Sequence, residues 1–217
     1  MLEAKGIEKS YGDLKVLKGV DLSVKRGEIV SIVGASGAGK STLLHILGTL
    51  DKPEKGSVKV NEIDVFSRSG NDLAGFRNQH IGFVFQFHNL LPEFSALENV
   101  MIPGLLSQKS DQEVKARAQK LLVDLGLERR MHHKPSELSG GEQQRAAAAR
   151  ALMNAPDIIL ADEPSGNLDS KNAQDLHELF FKLRSEMGQT FIIVTHNQEF
   201  ANMADRKLEM RDGIIQR

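Results

Sequence analysis

The segment Gly34-Ala35-Ser36-Gly37-Ala38-Gly39-Lys40-Ser41, placed directly after Glu28-Ile29-Val30-Ser31-Ile32-Val33, constrains this chain more than any other feature. It fits the pattern G-x-x-x-x-G-K-[ST], in which a glycine-rich loop leads from a buried strand into a helix and turns its backbone N–H groups toward an anion. Lys40 then neutralises the outer phosphates of a nucleotide, and the Ser41 hydroxyl is placed to ligate Mg²⁺. Two further segments follow in order: Leu138-Ser139-Gly140-Gly141-Glu142-Gln143-Gln144 and Ile158-Ile159-Leu160-Ala161-Asp162-Glu163. Asp162 ends an apolar run, so its carboxylate emerges from a buried strand beside the phosphates, where it holds Mg²⁺ mainly through water.

With 217 residues the chain can bury a sizeable core, and 40% hydrophobic against 26% charged residues describes a globular protein. Lys and Arg number 28 against 29 Asp and Glu, so nothing suggests a basic surface built for nucleic acid. No apolar stretch approaches the roughly eighteen residues that cross a bilayer. The start, Met1-Leu2-Glu3-Ala4-Lys5-Gly6, lacks the apolar core of a signal peptide, and the absence of cysteine fits a reducing compartment.

Short apolar runs alternate with helical patterns, which predicts a mostly parallel sheet covered by helices. Three such runs end in polar residues: Val33 at the glycine loop, Ala161 at Asp162-Glu163, and Phe191-Ile192-Ile193-Val194 at Thr195-His196. Ligands bind at the carboxyl ends of strands in open α/β sheets, so these three ends form one site. Leu2 to Ile7, Val16 to Val24, Ser57 to Val60 and a hairpin around Arg211-Asp212-Gly213 read as a smaller antiparallel sheet. From Gln86 to Arg150 the pattern is helical: Ser110-Asp111-Gln112-Glu113 is a capping box, and Val114, Ala118, Leu121, Leu122 and Leu125 share one helix face. Ser139-Gly140-Gly141-Glu142 is a second capping box, opening a helix over Gln143 to Leu152. Its two glycines cost helix stability and expose N–H groups, which favours an anion at this terminus.

These motifs together resemble the nucleotide-binding subunit of ATP-binding-cassette (ABC) transporters, for which Leu138-Ser139-Gly140-Gly141-Glu142 is the distinguishing signature. The resemblance runs from Tyr11 to His196 and implies a phosphate-loop NTPase (RecA-like) α/β core, an N-terminal antiparallel β subdomain and an inserted helical subdomain. The implied organisation is one ABC ATPase domain over 1–217, with 1–86 and 151–217 as core and 87–150 as the helical insert. It implies an ATPase in which Gly34, Ala35, Ser36, Gly37, Ala38, Gly39, Lys40, Ser41 and Thr42 hold ATP and Tyr11 stacks on adenine. Glu163 becomes the general base, His196 a contact to the γ-phosphate, and Gln86 a neutral ligand to Mg²⁺ or the attacking water. Catalysis would then draw on Glu163, His196, Lys40 and Gln86, and Mg²⁺ on Ser41, Gln86 and Asp162. Ser139, Gly140, Gly141 and Glu142 would bind the γ-phosphate of ATP held by a second copy, across an interface that Asp169 also crosses. The partners implied are a homodimer when ATP is bound and integral-membrane permease subunits, at the cytoplasmic face of the inner membrane.

Within that family the text from Gln86 to Val100, with Pro135-Ser136-Glu137 and Leu208-Glu209-Met210-Arg211-Asp212-Gly213, is similar to the ATPases of lipoprotein-releasing systems. Macrolide exporters share part of this text, and a regulatory cell-division cassette shares less. Chromosome-type members carry a long coiled coil where this chain has only Phe87 to Glu137. Phe87, Leu90, Leu91 and Phe94 admit two readings, as core of the helical insert or as a groove for a permease helix.

Overall fold

The computed structural model describes residues 1–107 and 109–216. Ten strands form two sheets among the described residues. In the smaller sheet, β1 (Leu2–Tyr11) lies between β2 (Leu14–Val24) and β4 (Lys55–Val60), with β5 (Ile63–Asp64) at the edge, all antiparallel. In the larger sheet the order is β10-β9-β3-β8-β7-β6. Its members are β3 (Ile29–Val33), β6 (Ile81–Phe85), β7 (Ile158–Asp162), β8 (Thr190–Val194), β9 (Arg206–Arg211) and β10 (Ile214–Ile215). All neighbours in it are parallel except β9 and β10.

The hairpin around Asp212-Gly213 thus belongs to the larger sheet, correcting the expectation that it joins the antiparallel one. The reason is that β9 pairs parallel with β3, from Val30↔Arg206 to Val33↔Glu209, before the chain turns back. Such a parallel partner gives no local sequence signal, whereas the tight turn does.

Strands β3, β7 and β8 are buried throughout except at Asp162, and their alternate residues enter two different cores. Val30, Ile32, Ile158, Leu160, Ile192 and Val194 pack with the small sheet and with α1 (Lys40–Leu47). Ile29, Ile159, Ala161, Phe191 and Ile193 face the other way. There they meet α5 (Gly140–Leu152), α6 (Ser170–Met187) and the helices α3 (Ala96–Leu105) and α4 (Asp111–Asp124). Two short helices complete the chain, α2 (Gly70–His80) before β6 and α7 (Gln198–Met203) after β8.

The Ser110–Glu113 capping box starts α4 as the sequence predicts, and its five apolar positions are buried. The Ser139–Glu142 box starts α5 at Gly140, one turn earlier than the sequence reading, because both glycines take helical geometry.

Candidate functional site

The glycine loop must reverse direction between β3 and α1 within a few residues. Gly39, the residue before α1, has φ 101°, and a side chain there would press on Leu17 and Met210, so only glycine fits. Lys40 then folds back across the loop, its Nζ donating to the carbonyls of Gly34 (2.8 Å) and Ala35 (3.0 Å). Ser41 Oγ donates to Asp162 Oδ1 at 3.1 Å, which ties the start of α1 to the end of β7.

Directly after Asp162, Glu163 adopts φ 47°, a left-handed conformation that costs a non-glycine residue about 1–2 kcal/mol. Its backbone N–H donates to Val194 O at 2.9 Å, anchoring it to β8. Its Oε2 accepts from the His196 backbone N–H (3.1 Å) and lies 2.8 Å from His196 Nδ1. An ionised carboxylate can only accept, so Nδ1 carries the proton in that pair. Oε1 of Glu163 has no hydrogen-bond partner among the described residues.

Gln86 leaves the end of β6 and reaches the turn after Glu163, where Nε2 donates to Asn167 Oδ1 at 2.9 Å. Tyr11 is half exposed at the end of β1; its hydroxyl donates to Asp51 Oδ2 at 2.7 Å, and Lys9 Nζ sits 5.2 Å from its ring centre. Accepting this bond, the Asp51 carboxylate pushes the Tyr11 phenol above its usual range. Tyr11, Gly34, Ser36, Gly37, Gly39, Lys40, Ser41, Thr42, Gln86, Glu163 and His196 line one open groove of about 640 Å³. Asp162 touches the groove through Ser41, while Ala35 and Ala38 belong to the loop itself.

The remaining residues expected at the nucleotide stand apart from this groove. Ser139 caps α5, its Oγ accepting from the Glu142 N–H, while Glu142 Oε2 accepts from Ser139 N–H at 2.8 Å. Glu142 Oε1 accepts from Arg130 Nε at 3.0 Å. The Ser139 backbone N–H, with Arg130, holds the Glu142 carboxyl below its ordinary range. That carboxylate therefore organises its own loop. Gly141 abuts the Asn172 side chain, and Asn172 donates through N and Nδ2 to Asp169, which caps α6. The signature and Asp169 thus form a second, contiguous patch on the same chain.

At the opposite end of α5, Arg150 donates to the carbonyls of Asn89 (2.6 Å) and His88 (2.7 Å), both residues with positive φ. Gln144 Nε2 donates to Phe85 O at 3.2 Å. This grip carries the chain away from Gln86 with Phe87, Leu91 and Phe94 exposed and only Leu90 against the core. The side chain of buried Asn99 secures the same loop through Leu91, Phe94 and Ser95. Sequence reasoning missed Asp51, Asn167, Arg150 and Asn99. Asn167 alone carried a signal, its position in the segment Ser165 to Asp169.

A family model described as "ABC transporter" matches residues 17–166. The lipoprotein-releasing system ATP-binding protein LolD of Cytophaga hutchinsonii is 58% identical, over 99% of this chain and 98% of that protein. The protein of the same name from Porphyromonas gingivalis is 59% identical over the same shares. Among solved structures, the dimeric post-hydrolysis state of the ATP-binding cassette MJ0796 bound to ADP and Pi superposes with TM-score 0.91. That match has 44% identity and covers 100% of this chain and 97% of the other.

Proposed function

Because the chain belongs to the ABC transporter family, we propose that it is the ATP-binding and ATP-hydrolysing subunit powering release of lipoproteins from a membrane. The observation that carries this reading is full-length identity of 57–59% to lipoprotein-releasing ATPases, joined to a groove where phosphate loop, Gln86, Glu163 and His196 converge. No comparison favours the macrolide-exporter or cell-division alternatives.

In this reading the loop from Gly34 to Thr42 takes the phosphates, Lys40 neutralises the outer two, and the Tyr11 ring stacks on the base. Glu163 accepts the proton of the attacking water through the oxygen that His196 leaves unbonded, and the His196 ring contacts the γ-phosphate. Ser41, Asp162 and Gln86 would hold Mg²⁺. Their oxygens suit that ion, a hard cation that takes oxygen ligands and is commonly bound through one or two carboxylates. When bound, Mg²⁺ would supply neutralisation of charge on the phosphate oxygens.

The signature patch lies outside the groove of its own chain, so two chains paired head to tail complete each ATP site, as the dimeric neighbours support. No helix among the described residues is long and apolar enough to cross a membrane, and this reading assigns transport to an integral-membrane permease. The exposed Phe87, Leu91 and Phe94 supply its docking surface at the cytoplasmic face of the inner membrane.

The test is reconstitution with the permease in proteoliposomes carrying a lipidated protein. ATP is expected to release the lipoprotein to an acceptor, and Lys40→Ala to abolish release. A wild-type complex that hydrolyses ATP without releasing lipoprotein would refute this substrate.

A further inference from the structure

Two turns into α6, His177 is buried among side chains from separate parts of the site's scaffold. Its Nε2 lies 3.0 Å from Ser165 Oγ, in the turn that follows Glu163. Its ring lies flat on Phe200, with centroids 3.8 Å apart and planes 6° from parallel. Phe200 belongs to α7, whose first turn is fixed by Asn197 Oδ1 accepting from the Phe200 N–H at 2.9 Å. Asn197 directly follows His196.

We propose that His177 is a positioning residue for ATP hydrolysis: by tying Ser165 to Phe200 it sets the turn bearing Glu163 against the turn bearing His196. Strands β7 and β8 already pair up to Asp162↔Val194, but both functional side chains stand beyond that ladder. The Glu163 side is a pair of short turns, with Gly166 N–H donating to Glu163 O (3.0 Å) and Leu168 N–H to Ser165 O (3.1 Å). Besides these local bonds the segment is tied by the Glu163 N–H to Val194 O and by Gln86 to Asn167, and a residue already in the left-handed region needs such surroundings to keep it there. His177 adds a tie from behind that none of these supplies, with one hydrogen bond to Ser165 on the Glu163 side and one stacked ring on Phe200 of α7, on the His196 side. An aliphatic side chain could fill the same core but would make neither oriented contact. Burial lowers the imidazole pKa to about 4, so the ring is neutral near pH 7 and one ring nitrogen can accept from a hydroxyl.

The inference rests on Glu163 and His196 being the hydrolytic pair, and the experiment separates the two claims. ATPase kinetics are measured on the full chain for Ser165→Ala, His177→Phe, the double variant and, in parallel, Glu163→Gln. Ser165→Ala and His177→Phe are each expected to lower kcat about tenfold with KM for ATP unchanged, the size of a sub-ångström misplacement at the reacting atoms. The double variant is expected to be no slower than either single one, because both remove the same bond. His177→Gln, whose amide reaches toward Ser165, is expected to recover part of the rate. Wild-type kcat in either single variant, or losses that multiply in the double, would overturn the proposal. Ser165→Ala keeps the test valid should the His177 variants fold poorly. Normal turnover by Glu163→Gln would instead remove the assignment on which the proposal stands.

Discussion

Glu163 and His196 meet through one carboxylate oxygen, which takes the His196 backbone N–H and Nδ1 at 3.1 and 2.8 Å. A carboxylate held this way has its second oxygen available and its orientation fixed, which is the geometry the proposed base needs. Glu163→Gln keeps size and hydrogen-bonding shape but cannot accept the proton. Turnover is expected to fall by about 10²–10⁴ with ATP binding retained. Stopped-flow hydrolysis beside equilibrium nucleotide binding checks this, and normal hydrolysis removes Glu163 from the role.

Shared sites predict complementation between damaged chains. Gly140 is the better target in the signature, because a side chain there meets only Leu168 at 3.4 Å, whereas one at Gly141 collides with Asn172. Gly140→Asp adds a negative charge at the α5 N-terminus, where an anion is to bind. Gly140→Asp and Lys40→Ala are each expected to be inactive alone and active when mixed, since a mixed dimer contains one intact pair. Absence of any recovered ATPase activity in confirmed mixed dimers contradicts the composite arrangement.

Tyr11 offers a measure of base stacking. Tyr11→Ala is expected to weaken ATP binding by about 1–3 kcal/mol, or roughly 5- to 150-fold, while Tyr11→Phe stays near wild type. Titration with a fluorescent ATP analogue reads both, and equal affinities for all three proteins would place the base elsewhere.

Replacing Leu91 by Glu puts a charge on an exposed loop that Asn99 holds in place. ATP binding by the isolated chain is expected to persist, and co-purification with the permease to be lost. Persistent co-purification with normal release moves the docking surface elsewhere.

His177 also makes stability depend on pH. Its pKa falls from the ordinary 6.5 to about 4 on folding, so between these values the unfolded chain binds a proton that the folded chain does not. Stability is therefore expected to be intact above pH 6.5 and to decline as pH falls toward 4. Glu178 and Glu199 border the same recess and face the ring's surroundings. His177→Phe is expected to flatten this acid limb in urea unfolding, and an unchanged slope would show that the proton binds elsewhere.

Much of the site was legible because its chemistry sits at strand ends, where an apolar run stops at a polar residue: Val33, Asp162 and Val194 each mark one. Capping boxes at Ser110 and Ser139 were equally visible, since both partners lie within four residues. What escaped depends on distant pairs. Tyr11 meets Asp51, Gln86 meets Asn167, and β9 finds β3 across most of the chain. No local periodicity encodes such meetings. The exposure of Phe87, Leu91 and Phe94 was undecidable from composition, because apolar residues serve a core and a docking surface alike.

Helix α5 carries the signature serine before its first residue and the Arg150 grip on His88 and Asn89 near its last turn. At 1.5 Å per residue its 13 residues make a rod about 20 Å long, with no proline to bend it. Such a rod behaves as a crank. In the proposed dimer, drawing the signature toward a second chain's nucleotide would swing the far end of α5 with it, and Arg150 would carry the loop bearing Phe87 along. In the proposed assembly, a permease docked at the exposed Phe87 would feel the nucleotide through the tilt of one stiff shaft.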